Sequence, residues 1–115
     1  MSVDISVAEE GDVTVIMVNG DLDMSTAPRL LDTGVAGVES GRVRLVVDLS
    51  KVTFCDSSGL GAFVRLKKRI DAADGRFALA GPSPTVRTIL DVTGLAEVVG
   101  VHQTVAEARA AVAAA

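Results

Sequence analysis

An apolar run from Val43 to Leu49 constrains the fold more than any other part of the sequence. Only Arg44 and Asp48 interrupt it, and most of its apolar residues are β-branched or Leu. A run of this kind is typical of a central strand that is covered on both faces, as in parallel sheets. A helical pattern follows, with apolar or small residues at spacings of three and four from Gly59 to Ile70. The sequence therefore predicts a strand followed by a helix that packs back onto a mainly parallel sheet.

The other segments extend this pattern in both directions. Alternating Val3, Ile5 and Val7 predict a first strand, and Val13–Val18 predicts its hairpin partner, which is expected to end at Asn19-Gly20-Asp21. After two β-α units, the last predicted strand covers 98–101 and precedes an Ala-rich helix. The predicted fold class is α/β, with a mixed, mainly parallel sheet of four to five strands and about four helices in a single domain over residues 1–115.

Helix starts and stops are also marked. We expect Ser25 to cap the first helix with Pro28 in its first turn, and Gly34 to allow close packing against the sheet. Ser83-Pro84 predicts the start of a later helix and Gly94 its end. Thr104-Val105-Ala106-Glu107 has the form of a capping box that opens the last helix.

Composition narrows the classes of function. The 115 residues carry a net charge of −4 and three aromatic side chains, all Phe, which disfavours nucleic-acid and anionic-lipid binding. No apolar run reaches the ~20 residues that span a bilayer. The first residues, Met1 to Asp4, lack a basic region and a long apolar stretch, so we expect no secretory signal. A single cysteine suits a reducing compartment, and we expect a cytoplasmic protein that does not insert into membranes.

The sequence lacks the residue patterns that common enzyme active sites require. A nucleophile elbow needs glycine two residues before the serine, but Ser58 has Asp56 there. His102 is the single histidine and is expected to lie at the surface, and no phosphate-binding loop motif is present. One His and one Cys do not make an ordinary zinc site, and we expect Cys55 to be a small core residue. We therefore predict no catalytic residues, no metal and no cofactor.

Two serines mark the junction between the central strand and its helix, in the stretch Phe54-Cys55-Asp56-Ser57-Ser58-Gly59-Leu60-Gly61. Helix N-termini tolerate negative charge, so a serine there can be a cap, a nucleophile or a carrier of phosphate. The loop Gly20-Asp21-Leu22-Asp23 ends the second strand, and in a parallel arrangement both segments could lie at the same end of the sheet. Asp21, Asp23 and Asp56 would then form an acidic rim around the serines, although Asp is equally common as a loop or cap residue.

Together these segments resemble a STAS domain, and specifically a bacterial anti-sigma factor antagonist. The match rests on the two stretches just quoted, on Val46-Val47-Asp48-Leu49-Ser50 and on Val92-Thr93-Gly94-Leu95, which occur in the expected order over nearly the whole chain. The resemblance implies a regulatory protein that binds an anti-sigma factor that is also a serine kinase, and so frees a sigma factor for transcription. It implies a role in stress response or sporulation. The sequence leaves the oligomeric state open, and we expect a monomer when the protein is free.

The same resemblance assigns roles to particular residues. The kinase would phosphorylate Ser58, which ends binding, and a serine phosphatase would reverse the change; Ser57 is expected to be a cap or a hydrogen-bonding neighbour. The predicted partner-binding surface consists of Asp21, Asp23, Asp56, Ser57, Ser58, Gly59 and Leu60. Met24 departs from a family position that is commonly polar or His, which could alter partner choice. The basic residues Arg65, Lys67, Lys68 and Arg69 are expected to form a solvated face that points away from the serines.

Two other functions remain open from the sequence. The chain could be a STAS scaffold in a stressosome-like complex or the accessory subunit of a membrane transporter, with Ser58 unmodified. It could also be a small serine hydrolase, which the missing elbow and base disfavour.

Overall fold

One five-stranded mixed sheet organises the computed structural model, which describes residues 3–113. Its strands, in spatial order, are β1 (Val3–Glu10), β2 (Val13–Leu22), β3 (Arg44–Cys55), β4 (Arg76–Ala80) and β5 (Gly100–His102). β1 is antiparallel to β2, and the other neighbouring pairs are parallel. The helices in the described residues are α1 (Ala27–Glu39), α2 (Ser57–Ala72), α3 (Pro84–Val92), α4 (Leu95–Val98) and α5 (Val105–Ala113).

This arrangement confirms the predicted fold class. The ends of the predicted domain, and the start of the segment inspected for a signal, lie outside the described residues. α4 was not predicted. It occupies part of the segment expected to be the last strand, so β5 begins at Gly100 instead of residue 98.

Two strands run further than the sequence indicates. β2 does not end at Asn19-Gly20-Asp21 but continues to Leu22, because Gly20 adopts a φ of 128° and the pairing with β3 shifts register on either side of it. β3 continues to Cys55, whereas β4 pairs only with its first part, from Arg44 to Asp48. The last residues of β2 and β3, 19–22 and 51–55, therefore extend past β4, and we call this pair of segments the β2–β3 overhang.

Helices cover the two faces of the sheet unequally. The larger core joins one face to α1, α2 and α3, and its fully buried side chains include Leu30, Phe63 and Leu90. The smaller core lies under α5 and is built from small residues, among them Ala78, Ala80 and Ala108. The Arg44 guanidinium donates to the carbonyls of Val112 (3.1 Å) and Ala113 (2.7 Å), so an ion on β3 holds the C-terminal end of α5.

The helix boundaries confirm three of the predicted signals and correct one. The Ser83 hydroxyl accepts from the Val86 N–H (3.2 Å), the Thr104 hydroxyl accepts from the Glu107 N–H (3.1 Å), and Gly94 takes the left-handed conformation after α3. Ser25 is not the cap of α1, which begins after Thr26. The reason is that the carboxylate of Asp23 organises this turn, as described below.

Gly34 allows two helices, and not a helix and the sheet, to approach closely. A β-carbon on Gly34 would lie 2.4 Å from Cδ2 of Leu66, a fully buried side chain of α2. The missing side chain therefore sets the distance between α1 and α2, which matters because the groove between these helices leads to the two serines. Gly37, nearer the end of α1, has its closest neighbour at 3.9 Å, a backbone oxygen.

Replacing Gly34 by Val should destabilise the fold, whereas Gly37→Val in the same helix should not. Overpacking against Leu66 is expected to cost about 1–3 kcal/mol of the free energy of unfolding. Both variants gain the same small advantage in helix propensity over Gly, so urea denaturation of the pair isolates the packing cost. Equal stability of the two variants would contradict this account of the α1–α2 contact.

Candidate partner-binding site

The β2–β3 overhang brings the two predicted site segments together. Leu22 pairs with Cys55 in the last rung of the ladder, and the Asp56 N–H donates to the Leu22 carbonyl at 3.0 Å. The loop after β2 therefore lies beside the junction between β3 and α2, as the sequence predicts. Among the described residues no strand pairs with 51–55 of β3 on the side of β4, whereas β1 still pairs with Asn19 and Gly20 on the far side of β2. The junction therefore stands clear of the strands on the β4 side.

Gly59 lets the first turn of α2 lie directly on this rung. A β-carbon there would be 2.6 Å from Cys55 Sγ and 3.0 Å from Leu22 Cβ. Gly59 and Cys55 are both buried. Leu60, the next residue, is half-buried and packs against the larger core. Both residues of the predicted surface thus hold the junction in place, and the buried Gly59 offers little surface to a partner.

Asp56 is the N-cap of α2. Its Oδ1 accepts from the backbone N–H of Ser58 at 2.8 Å and of Gly59 at 3.4 Å. A carboxylate that satisfies free N–H groups at the positive end of a helix stabilises the start of that helix. Ser57 is consequently the first helical residue and not the cap. Ser57 is exposed and Ser58 half-buried, and among residues 3–113 no group hydrogen-bonds the Ser58 hydroxyl.

Asp23 organises the loop between β2 and α1. Its Oδ1 accepts from the backbone N–H and hydroxyl of Ser25, at 2.9 and 2.7 Å, and from the backbone N–H of Thr26 at 3.2 Å. Hydrogen bonds from Ser25 hold the pKa of Asp23 below its ordinary value. The buried Thr26 hydroxyl donates in turn to the Asp21 carbonyl at 2.6 Å, which ties the loop back to β2.

The carboxylate of Asp21 bridges the two strands of the overhang. It accepts a hydrogen bond from the Thr53 hydroxyl on β3 at 2.5 Å. Asp21, Asp23 and Asp56 therefore all have structural roles, and all three remain partly exposed. These contacts support the interpretation of the three carboxylates as structural residues, whereas an acidic rim around the serines stays a prediction.

A groove of 320 Å³ runs from the serines between α1 and α2. Its walls include Met24, Pro28, Leu31, Asp32, Ser57, Ser58, Ala62 and Arg65. We call it the serine groove. Its apolar lining includes Met24, whose side chain is 79% exposed. Proline, leucine and alanine side chains from the two helices also contribute to the apolar part.

Arg65 corrects one prediction. It does not belong to a face that points away from the serines, because it lines the same groove as Ser57 and Ser58. The neighbouring bases do lie elsewhere, since Lys67 pairs with Asp71 at 2.8 Å and Arg69 with Glu39 at 3.5 Å. Periodicity alone placed Arg65 off the apolar stripe of α2 but could not show that α1 leaves a groove open beside it.

Phe54 is a further exposed apolar residue that the sequence reasoning did not assign to the site. It lies in the overhang, two residues before Asp56, with 49% of its surface exposed. Its exposure follows from the length of β3, because the strand has passed the end of β4 at that point. A large aromatic ring in water beside a charged junction is the kind of residue that protein interfaces bury.

Residues 3–113 contain neither a cluster of metal-ligand side chains nor a membrane-spanning helix. No three His, Cys, Asp or Glu side chains come together there as metal ligands would. None of the helices in this part of the chain has the length and apolar character needed to cross a membrane.

A sequence model of the STAS domain matches residues 4–108. The chain belongs to the STAS domain family. A relative from Staphylococcus epidermidis named anti-sigma-B factor antagonist is 30% identical over 103 residues, which cover 90% of this chain and 95% of the relative. Among solved structures, an anti-sigma factor antagonist from Mycobacterium paratuberculosis is 31% identical with a TM-score of 0.90, over 98% of this chain and 96% of that one.

A third likeness is to the phosphorylated form of SpoIIAA, a cell fate determinant of Bacillus. It is 25% identical with a TM-score of 0.74, over 95% of this chain and 99% of that one. These comparisons confirm the predicted STAS fold and the resemblance to bacterial anti-sigma factor antagonists.

Gly59→Ala should destabilise the protein, whereas Gly61→Ala should stabilise it slightly. The added methyl group at 59 meets Cys55 and Leu22, with an expected cost of roughly 1–3 kcal/mol. At position 61 nothing lies within 4 Å, so the gain in helix propensity, up to ~1 kcal/mol, should remain. Urea denaturation of both variants checks this, and a neutral Gly59→Ala would show that α2 does not sit tightly on the overhang.

Cys55 should react slowly with thiol reagents in the folded protein. Burial, with a smaller contribution from the Asp56 charge, raises the pKa of the thiol to about 11. At pH 8 the folded protein should therefore contain about a hundredfold less thiolate than the unfolded chain. Because the folded-state pKa is raised, this group lowers stability as pH rises from about 9 to about 11, where only the unfolded chain loses the proton.

Alkylation by iodoacetamide at pH 8, with and without urea, measures the difference. Comparable rates in both conditions would mean that the start of α2 opens readily and leaves Cys55 accessible.

Proposed function

We propose that the protein is an anti-sigma factor antagonist that binds its partner while Ser58 is unphosphorylated. The observation that carries this proposal is the position of Ser58: a half-exposed serine in a preformed groove, next to carboxylates held by hydrogen bonds. Membership of the STAS family and the relatives named antagonists support the proposal. The chain would act in the cytoplasm as a single STAS domain over residues 1–115, without catalysis of its own.

The proposed binding surface combines apolar area with fixed negative charge. Met24 and Phe54 expose large apolar side chains near the junction, and burial of such residues commonly supplies much of the affinity of an interface. Asp21, Asp23 and Asp56 give the surface its charge, so its partner should present basic and apolar groups. The partner would contact Ser57 and Ser58 directly, while Gly59 and Leu60 hold the junction in shape.

Phosphorylation would change this surface without a change of fold. The partner, a serine kinase as well as an anti-sigma factor, would transfer the γ-phosphoryl group of a nucleoside triphosphate to Ser58 Oγ. The bond from the γ-phosphorus to the bridging oxygen breaks, the nucleoside diphosphate leaves, and the hydroxyl proton is released. The phosphate adds about −1.5 to −2 charges beside Asp56. A surface that fits a neutral hydroxyl would then meet steric and electrostatic repulsion. A serine phosphatase would remove the phosphate by hydrolysis and restore binding.

Ser58→Ala should bind the anti-sigma partner about as tightly as the unmodified protein, and Ser58→Asp should bind more than about a hundredfold less tightly, a loss of ~3 kcal/mol. Ser6→Asp is a matched control, since it adds the same charge at an exposed position of β1, outside the groove. Isothermal titration calorimetry measures the three affinities. Equal affinity of Ser58→Ala and Ser58→Asp would overturn the switch.

The phosphate acceptor can be tested with the same partner. Ser58→Ala should abolish incorporation of phosphate from labelled ATP, whereas Ser57→Ala should retain it. Incorporation that survives Ser58→Ala and fails in Ser57→Ala would assign the acceptor to Ser57 and contradict the proposal.

A further inference from the structure

Arg65 is a cation in the serine groove that has no assigned role. It lies seven residues after Ser58 on α2, about 10 Å along the helix axis, and both residues line the groove. Helical side chains lean toward the N-terminus of their helix, which is the direction of Ser58. A side chain as long as that of Arg65 can therefore reach along the groove toward the serine.

The surrounding charges leave Arg65 available for an anion. Two other bases of α2, Lys67 and Arg69, are already paired with carboxylates. Within residues 3–113, no carboxylate lies within 4.0 Å of the Arg65 guanidinium. Asp32 on α1 lines the same groove but does not approach to that distance. Arginine also has the planar set of donors that binds phosphate in a bidentate manner.

The backbone at the start of α2 offers a phosphate fewer donors than helix N-termini commonly do. Phosphate groups at helix N-termini are commonly held by free N–H groups. Here the Asp56 carboxylate accepts from the N–H groups of both Ser58 and Gly59. A phosphate on Ser58 would meet a negative cap, and within residues 3–113 the Ser57 N–H is the one backbone donor of this turn without an acceptor. Arg65 is the positively charged side chain lining the groove that contains this serine.

We propose that Arg65 binds the phosphate carried by Ser58 and holds it along the groove between α1 and α2. This inference rests on the proposed function and specifies how its off state is held. The phosphate would cover the apolar groove beside Met24 in addition to repelling the partner. Arg65 is thus a residue that positions the phosphate and takes no part in its transfer.

The pKa for loss of the second proton from the phosphate on Ser58 is sensitive to its contact with Arg65. Asp56 at the cap of α2, Asp23 in the loop before α1 and Asp32 on α1 all disfavour the dianion, and Arg65 favours it. Its absolute pKa therefore mixes several effects. The difference between the protein and a variant that lacks the positive charge at position 65 isolates one of them.

The experiment uses the full chain with phosphoserine introduced at position 58 during translation, so it does not depend on the kinase. A ³¹P NMR titration from pH 4 to pH 8 gives the second pKa of the phosphate. Arg65→Gln should raise this pKa by about 0.5–1 unit, and Arg65→Lys should restore part of the shift. Arg69→Gln, one turn further along α2 and paired with Glu39, is the matched control and should leave it unchanged.

Equal shifts in Arg65→Gln and Arg69→Gln, or no shift in either, would overturn the inference. Circular dichroism before titration confirms that each variant is folded. If Arg65→Gln leaves the second pKa of the phosphate unchanged while Ser58→Asp still blocks binding, the Arg65 contact alone is refuted. Failure of Ser58→Asp to block binding, with a normal Arg65 effect, would refute the proposed switch alone.

Discussion

The pairing of Leu22 with Cys55 is the contact on which the candidate site depends. It is the last rung of the β2–β3 ladder, and Gly59 places the first turn of α2 directly against it. The hydrogen bond from the Asp56 N–H to the Leu22 carbonyl then joins the start of α2 to the end of β2. If this contact were lost, the loop that contains Asp23 and the turn that contains Ser58 would no longer have a fixed relative position.

The carboxylates of Asp21, Asp23 and Asp56 both stabilise local structure and give the surface its negative charge. Asp56 stabilises the start of α2, Asp23 orders the loop before α1, and Asp21 links the strands of the overhang. Each also contributes charge to the exposed surface. A substitution at any of these residues therefore changes local order and surface potential together, which is why charge addition at Ser58 is a cleaner probe of binding than removal of an Asp.

Strongly periodic segments could be predicted from the sequence, and the ends of strands could not. The apolar run from Val43 to Leu49 and the stripe of α2 identified the central β-α unit because burial leaves a clear pattern there. Asn19-Gly20-Asp21 has the composition of a turn, but Gly20 absorbs a change of register within β2 and the strand continues. The groove beside Arg65 depends on the distance between α1 and α2, which Gly34 and Leu66 set, and a single helix pattern contains no information on that distance.

The position of the groove on the surface of the folded protein affects how fast the protein can respond to modification. Neither face of the sheet has to open for the Ser58 hydroxyl to be reached, since it already lies half-exposed at the edge of the larger core. Under the proposed function, no refolding step would then delay the response. The lifetime of each state would be set by the turnover of the modifying enzymes and by dissociation of the partner, so the cell could tune the response through enzyme abundance while this protein remains unchanged.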